Sequence, residues 1–286
     1  MQYKRFKLLK IRINGGVAFV TIDNPPVNML SLQLIAELSS FARKVEKDDD
    51  VRVIVFDSAD PDFFIAHFDV DSLLITPDEE PTKSTQLEGM HPLLEAFRTM
   101  SKVSIAKIEG ICRGGGSEFV LALDMRFGVI GKTILAQPEV AVGIIPGGGG
   151  TQRIPRLMGQ ARAMEVILSG TDIPAELAEK YGYLNRAFLP DEITDYVEEI
   201  AYTIASHPAE TLALAKKAIQ NAAELPIVEG LIEEYYLFQQ STALPVAKTR
   251  MKEFMEMGGQ SREVEIQGFK LPEDILKRIK DERNNE

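Results

Sequence analysis

Two glutamates stand where carboxylates could do acid–base work. Glu118 lies two residues past Gly114-Gly115-Gly116, and Glu139 follows Gln137-Pro138. Carboxylates that share a pocket can be driven apart in pKa by their surroundings, one acting as acid and the other as base. The chain has 43 acidic residues, most of them solvated surface charges, so spacing alone singles out neither. The glycine context singles out Glu118. Three glycines sit where a strand-like run, Val103 to Ile108, should turn into a helix, and an apolar run, Phe119 to Leu123, follows. Glycine allows φ > 0 and close approach to a ligand. A helix N-terminus offers unpaired N–H groups and partial positive charge. Together they suit a developing anion, an oxyanion hole with a carboxylate beside it.

A second glycine-rich loop, Pro146-Gly147-Gly148-Gly149-Gly150-Thr151, lacks the Gly-Lys-Ser/Thr ending of a nucleotide phosphate loop. The triple glycine fails the dinucleotide G-x-G-x-x-G spacing, with no acidic residue at the end of an obvious second strand. Tight turns would account for both loops; close backbone approach to a ligand is the reading preferred. His67, His91 and His207 show no metal-ligand spacing, and the last two each precede a proline. Cys112 has no visible histidine partner and reads as a small buried apolar group. Arg113, Lys102 and Lys107 could assist an anionic ligand, but each reads first as a surface or structural charge.

The elements that must position these residues follow from periodicity. Phe6 to Ile22 predicts a β-hairpin turning at Asn14-Gly15-Gly16. Leu34, Leu38, Phe41 and Val45 recur at helical spacing over Ser31 to Glu46, with Ser31 as N-cap. Val51 to Phe56 reads as a buried strand, Met90 to Met100 as a helix, and Met125 to Ile130 and Thr133 to Ala136 as short strands. Thr151 is expected to cap a helix toward Met158. Further helices are expected over Ala161 to Leu168, Ala175 to Tyr181, Ile193 to Ala205, Ala209 to Ala223, and continuously from Val228 to about Met257. Thr76 to Glu88 is a polar loop, read as an excursion or a lid. The tail past Gly258-Gly259 is expected to fray. Strands interleave with helices early and the last third is helical, an α/β core with a helical C-terminal part.

Composition narrows the partners. A net charge of -11 and a pI near 5.0 disfavour nonspecific binding to nucleic acid or an anionic membrane. No apolar run approaches the roughly 20 residues of a membrane span. One cysteine excludes an internal disulfide and a cysteine-based zinc site. A reducing cytoplasm is the expected compartment.

Ile108 through Phe119 resembles the G-x-x-x-G-G-G-x-E-[LF] signature of the crotonase superfamily, the enoyl-CoA hydratase/isomerase family. Gln137-Pro138-Glu139 with Gly143 through Arg153 resembles its second signature, Q-P-E-x-x-x-G-x-x-P-G-x-G-G-[TS]-Q-R. Phe64-Ile65-Ala66-His67-Phe68-Asp69 resembles its F-x-A-G-x-D segment. Asn24-Pro25-Pro26-Val27-Asn28-Met29-Leu30 looks like its opening. The four stand in family order.

The resemblance implies a crotonase-like ββα spiral core with the active site over residues 1–200. A helical C-terminal region over 201–286 would serve oligomerisation and cover the pocket. The resemblance implies an acyl-CoA thioester substrate, no cofactor beyond the coenzyme A carried by that substrate, and assembly as homotrimers or dimers of trimers. Matched motif by motif, the oxyanion donors fall on the N–H groups of Phe68 and Gly115, and the catalytic pair on Glu118 and Glu139. Glu118 would deprotonate the water attacking Cβ, and Glu139 would protonate Cα. Ala66, His67, Asp69, Gly114 and Gly116 would line the substrate and CoA pocket. Both acids present favours hydration of a 2-enoyl-CoA. The alternatives are an isomerase or other crotonase-fold enzyme, and a non-catalytic acyl-CoA-binding subunit. The chain departs from the family at His67, where glycine is usual, and at Phe68, bulkier than the usual alanine. The two glutamates stand about one residue further apart than usual. The stretch from Ser241 lacks the usual E-G-x-x-A-F-x-E-K-R ending.

Overall fold

The computed structural model describes residues 3–75 and 80–267. Residues 76–79 of the polar loop and the tail beyond 267 lie outside it. Strand β1 (Leu9–Asn14) pairs antiparallel with β2 (Val17–Ile22), turning at Gly15-Gly16 as the periodicity predicts. Helix α1 (Leu32–Val45) follows, and Ser31 caps it by accepting the Leu34 N–H at 3.2 Å. Its buried face is Leu34, Leu38, Phe41, Ala42 and Val45, the stripe its sequence displays.

The chain then winds through repeated turns of one plan. A strand in a first sheet is followed by a short strand in a second sheet, and then by helical structure. The first turn is β3 (Val53–Ser58), β4 (Phe63–Ile65), α2 (Asp71–Leu74) and α3 (His91–Thr99). The second is β5 (Val103–Ile108), β6 (Ile111–Arg113) and α4 (Gly115–Leu121). The third is β7 (Met125–Val129), β8 (Ile134–Ala136), a 3-10 turn (Glu139–Val142), α5 (Gly150–Met158) and α6 (Gln160–Ser169). Strand β9 (Ile173–Pro174), α7 (Ala175–Tyr181), β10 (Arg186–Phe188) and α8 (Ile193–Ala205) come next. The first sheet has the order β1-β2-β3-β5-β7-β10 and the second β4-β6-β8-β9. Apart from the β1–β2 and β8–β9 pairs, neighbours run parallel. This is the expected ββα spiral.

Helix α4 is the pivot. Every one of its residues is buried, so it belongs to the core on all sides. Phe119 packs edge-on against Phe56 at 5.2 Å and Phe97 at 5.7 Å between ring centres, which ties α4 to β3 and α3. Ser117 shares a 2.6 Å hydrogen bond with the buried hydroxyl of Tyr183.

Four local expectations are corrected. The glycine stretch does not join Val103–Ile108 straight to a helix: β6 intervenes in the second sheet, too short to show a period. Thr151 is not a cap. It lies inside α5, whose N-cap is Gly149 at φ 107°, a left-handed angle that threonine disfavours. The long C-terminal helix is two: α10 (Ile227–Ala243) ends at Leu244, and α11 (Pro245–Glu256) begins with proline. Proline lacks the N–H that would continue α10. Past Gly258-Gly259 the described part of the tail forms α12 (Arg262–Gln267).

Contacts divide the chain into one unit ending at Ala201 and a second beginning at Tyr202. In the second, α9 (Ala209–Glu224) packs on α10. Among the described residues no helix is long and apolar enough to cross a membrane.

Candidate active site

The turn into α4 is built from three glycines with two duties. Gly114 has φ 50° and ψ -127°, open only to glycine at low cost. Its N–H donates to the Ala136 carbonyl at 3.0 Å and its carbonyl accepts from the Glu118 N–H at 2.9 Å. Gly115 and Gly116 are helical, and space dictates their type. A Cβ on Gly115 would stand 2.9 Å from Cβ of Phe68, and one on Gly116 would stand 2.5 Å from the Ile65 carbonyl. The start of α4 is therefore pressed against the end of β4 and the residues after it.

That second segment is held by the loop before α1. Leu30 donates its N–H to the His67 carbonyl at 2.8 Å and accepts the Asp69 N–H at 3.2 Å. The peptide between His67 and Phe68 is thus fixed by its carbonyl end, with its N–H left over. Behind it, Asn28 is buried at φ 50°. Its side chain donates to the Ile22 carbonyl and to Ser58 Oγ, and accepts from the Asn24 N–H at 2.6 Å. Among the described residues, the N–H groups of Phe68 and Gly115 make no hydrogen bond. Gly115 is the first residue of α4, where an N–H has no partner in its own helix.

Glu118, in the first turn of α4, is 3% exposed. One oxygen, Oε1, accepts the Gly148 N–H at 2.7 Å and the Gly150 N–H at 2.8 Å. The glycine-rich loop before α5 thus approaches a carboxylate of the protein itself, where the sequence suggested a ligand. A Cβ on Gly148 would sit 2.6 Å from Glu118 Oε2, so any larger residue there requires the carboxylate to shift. Burial raises the Glu118 pKa; the N–H groups of Gly150 and Gly148 and the charges of His91 and Arg153 oppose that rise.

Glu139 opens the 3-10 turn and faces Gly114. Its Oε1 would lie 3.1 Å from a Cβ on Gly114. Its Oε2 is buried without a hydrogen-bond partner among the described residues. Burial, with a further push from the Glu118 charge, raises its pKa to about 7 against a single opposing bond from its own N–H. The two carboxylates are therefore unlike: one braced by two donors, the other desolvated and poised near neutrality.

The remaining residues singled out in the sequence divide. His67 lies beside Gly114, its Cβ 3.8 Å from where a Gly114 Cβ would be. Its Nδ1 is 2.7 Å from the Phe68 carbonyl, so Nδ1 carries the proton. Ala66 has both backbone groups engaged, donating to Val27 and accepting from Arg113. Asp69 accepts from the Asp71 N–H and Ser72 Oγ at the start of the short α2. Arg113 pairs through two bonds with Asp172, Lys107 pairs with Glu109 at 2.7 Å, and Lys102 donates to the Asp48 carbonyl. Cys112 is buried, which pushes its thiol pKa up. Missed by sequence reading were Leu30, which holds the Phe68 segment, Asn28, which ties the loop before α1 to Ile22 and Ser58, and Gly148, Gly150 and Arg153, which surround Glu118. The glycine run signalled the loop, but nothing local identified the carboxylate it meets.

Set beside known proteins, residues 12–261 match the family model described as enoyl-CoA hydratase/isomerase. A protein named probable enoyl-CoA hydratase, mitochondrial, from Dictyostelium discoideum is 31% identical over 256 residues, 89% of this chain and 90% of its own. A short-chain-enoyl-CoA hydratase from Clostridium acetobutylicum is 30% identical, covering 90% of this chain and 95% of its own. Among solved structures, enoyl-CoA hydratase from Bacillus anthracis superposes with a TM-score of 0.80 at 28% identity, over 88% of this chain and 97% of that one.

Proposed function

The chain belongs to the enoyl-CoA hydratase/isomerase family, and from that premise we propose that it adds water reversibly across the double bond of a 2-enoyl-CoA thioester. The observation that carries the reading is the pair of unlike carboxylates at the start of α4: Glu118 braced by two N–H groups and Glu139 with a pKa of about 7.

In this reading the thioester oxygen accepts the N–H groups of Phe68 and Gly115. The Gly115 donor also carries the positive end of α4. Ionised Glu118 takes a proton from water as the water oxygen bonds to Cβ. The displaced π electrons reach the thioester oxygen as an enolate, which those donors stabilise. The enolate collapses as Cα takes the proton of Glu139. Dehydration retraces the path with the two acids exchanging roles.

Ala66 and Asp69 contribute surface to the CoA side, since their polar groups are already engaged. His67 contributes its side chain beside the same turn. Gly114 and Gly116 supply shape. Coenzyme A arrives as part of the substrate, and the chemistry calls for no separate cofactor. Assembly as a homotrimer or dimer of trimers is supported by a stripe of exposed apolar residues on α10, Val228, Leu231, Ile232 and Tyr235, spaced along one helical face. A lone buried cysteine fits a reducing compartment, read as the cytoplasm.

The test is loss of enoyl-thioester absorbance on mixing with the protein, from crotonyl-CoA upward in chain length. Failure of every chain length with intact fold removes the reading. Deuterium exchange from solvent without hydrated product would instead identify an isomerase.

A further inference from the structure

Arg153 lies in α5, against the glycine loop. Its guanidinium makes two unlike contacts. One nitrogen, Nη1, donates to the Gly148 carbonyl at 3.0 Å; the other, Nη2, donates to Glu95 Oε1 at 2.7 Å. Glu95 is itself fixed on α3 by Arg98, whose Nε reaches Oε2 at 2.7 Å. The guanidinium packs so closely on Gly149 that a Cβ there would stand 1.9 Å from Nη1. Gly148 thus has its carbonyl held by Arg153 and its N–H held by Glu118.

We propose that Arg153 is a positioning residue: anchored on α3 through Glu95, it holds the Gly148 carbonyl and sets the turn so that the Gly148 and Gly150 N–H groups converge on one oxygen of Glu118. A planar fork suits this task, because it serves two acceptors in fixed directions. A lysine has one nitrogen on a flexible stem and cannot hold both contacts with the same precision. The brace keeps Oε1 occupied and leaves Oε2 as the oxygen for water. Glu118 is faced by Gly148 and Gly150 from the loop, His91 from α3, Arg153 from α5 and Glu139 from the 3-10 turn. Weakening the two donors removes influences that oppose protonation of Glu118.

The inference rests on Glu118 acting as the base, so the test has a part that does not need activity. Arg153→Met and Arg153→Lys are compared with the native chain by carbon-13 carboxyl NMR titration, with the Glu118 signal identified by its loss in Glu118→Gln. Both variants are expected to move the Glu118 titration to higher pH and to speed amide exchange at Gly148 and Gly150. Where the native chain hydrates crotonyl-CoA, the acid limb of kcat/KM moves to higher pH in both. The drop falls on kcat, about 10²-fold for a misplaced group, with KM little changed. A native titration and limb in Arg153→Lys would reduce the residue to its charge and overturn the brace. Unchanged titration in Arg153→Met would overturn it as well. A native chain inactive on every enoyl-CoA would remove the hydratase reading while the NMR and exchange results still decide the brace. Should Arg153→Met fail to fold, the conservative lysine variant carries the decision.

Discussion

The N–H of Gly148 lies 2.7 Å from Oε1 of Glu118. That contact joins two segments well separated in the chain and gives the buried carboxylate a fixed orientation. Gly150 adds a second donor to the same oxygen at 2.8 Å. Hydrogen bonds to the charged form favour it, so Glu118 is better equipped than Glu139 to stay ionised. The division of labour proposed for the two acids rests on this difference in partners.

Gly148→Ala tests the contact by space alone. The new Cβ would meet Glu118 Oε2 at 2.6 Å and the Met90 Cε at 2.7 Å. Glu118 must move, and displacement of a reacting group by about 1 Å costs about 10²-fold in rate. Steady-state hydration should show the loss in kcat, while circular dichroism shows a folded chain.

Glu118→Gln and Glu139→Gln remove one proton carrier each. Each is expected to lower kcat by about 10²- to 10⁴-fold. The double variant should be little worse than the poorer single one, because the acids act as a unit. Full activity in either single variant would strike that residue from the mechanism.

The pH profile follows from Glu139, whose pKa is about 7. Hydration needs its protonated form, so kcat/KM for hydration should fall as pH rises through that value. Part of the rise comes from the Glu118 charge. In Glu118→Gln, residual hydration should therefore lose activity at a lower pH. A limb that moves the other way would contradict the coupling.

Stability carries the same signature. Glu139 has a folded pKa of about 7 against 4.5 as a free side chain. Its contribution is complete below 4.5 and lost as pH rises through about 7, since ionising it in the fold is unfavourable. Glu139→Gln should raise Tm relative to the native chain at about pH 8 and change it far less at about pH 5. Thermal melts at the two pH values check the sign.

Asn28→Ala probes the loop before α1, which holds the proposed oxyanion segment through Leu30. Asn28 is buried at positive φ and satisfies Ile22, Ser58 and Asn24. Removing its amide leaves buried partners unsatisfied, a loss of about 1–3 kcal/mol. Denaturant unfolding should register it. A lower kcat at unchanged pH profile would show that the Phe68 segment loosens without disturbing the acids.

Much of this was legible in the sequence. Periodicity located the hairpin, α1, β5, α7 and α8, whose apolar spacing is long enough to declare itself. It passed over β4, β6, β9 and β10, each of two or three residues; a run that short has no period, and β8, as short, reads as a strand without one. It also ran α10 through Pro245, where apolar spacing continued but the backbone could not donate. Glu118 stood out by its glycines, and Glu139 by its motif.

What the sequence determined was the cast: three glycines before a glutamate, a second glutamate, and a glycine loop with an arginine after it. Local chemistry fixed the glycines, since the angles at Gly114 and Gly149 are strained for any residue with a side chain. The tertiary structure decided the partners. Gly115 needs its missing side chain because Phe68 stands there, and Gly148 because Glu118 does. The unlike pKa behaviour of the acids depends on burial and on which N–H groups arrive from distant turns. Those are properties of the closed fold, set by contacts between residues far apart in the chain, and no local spacing encodes them.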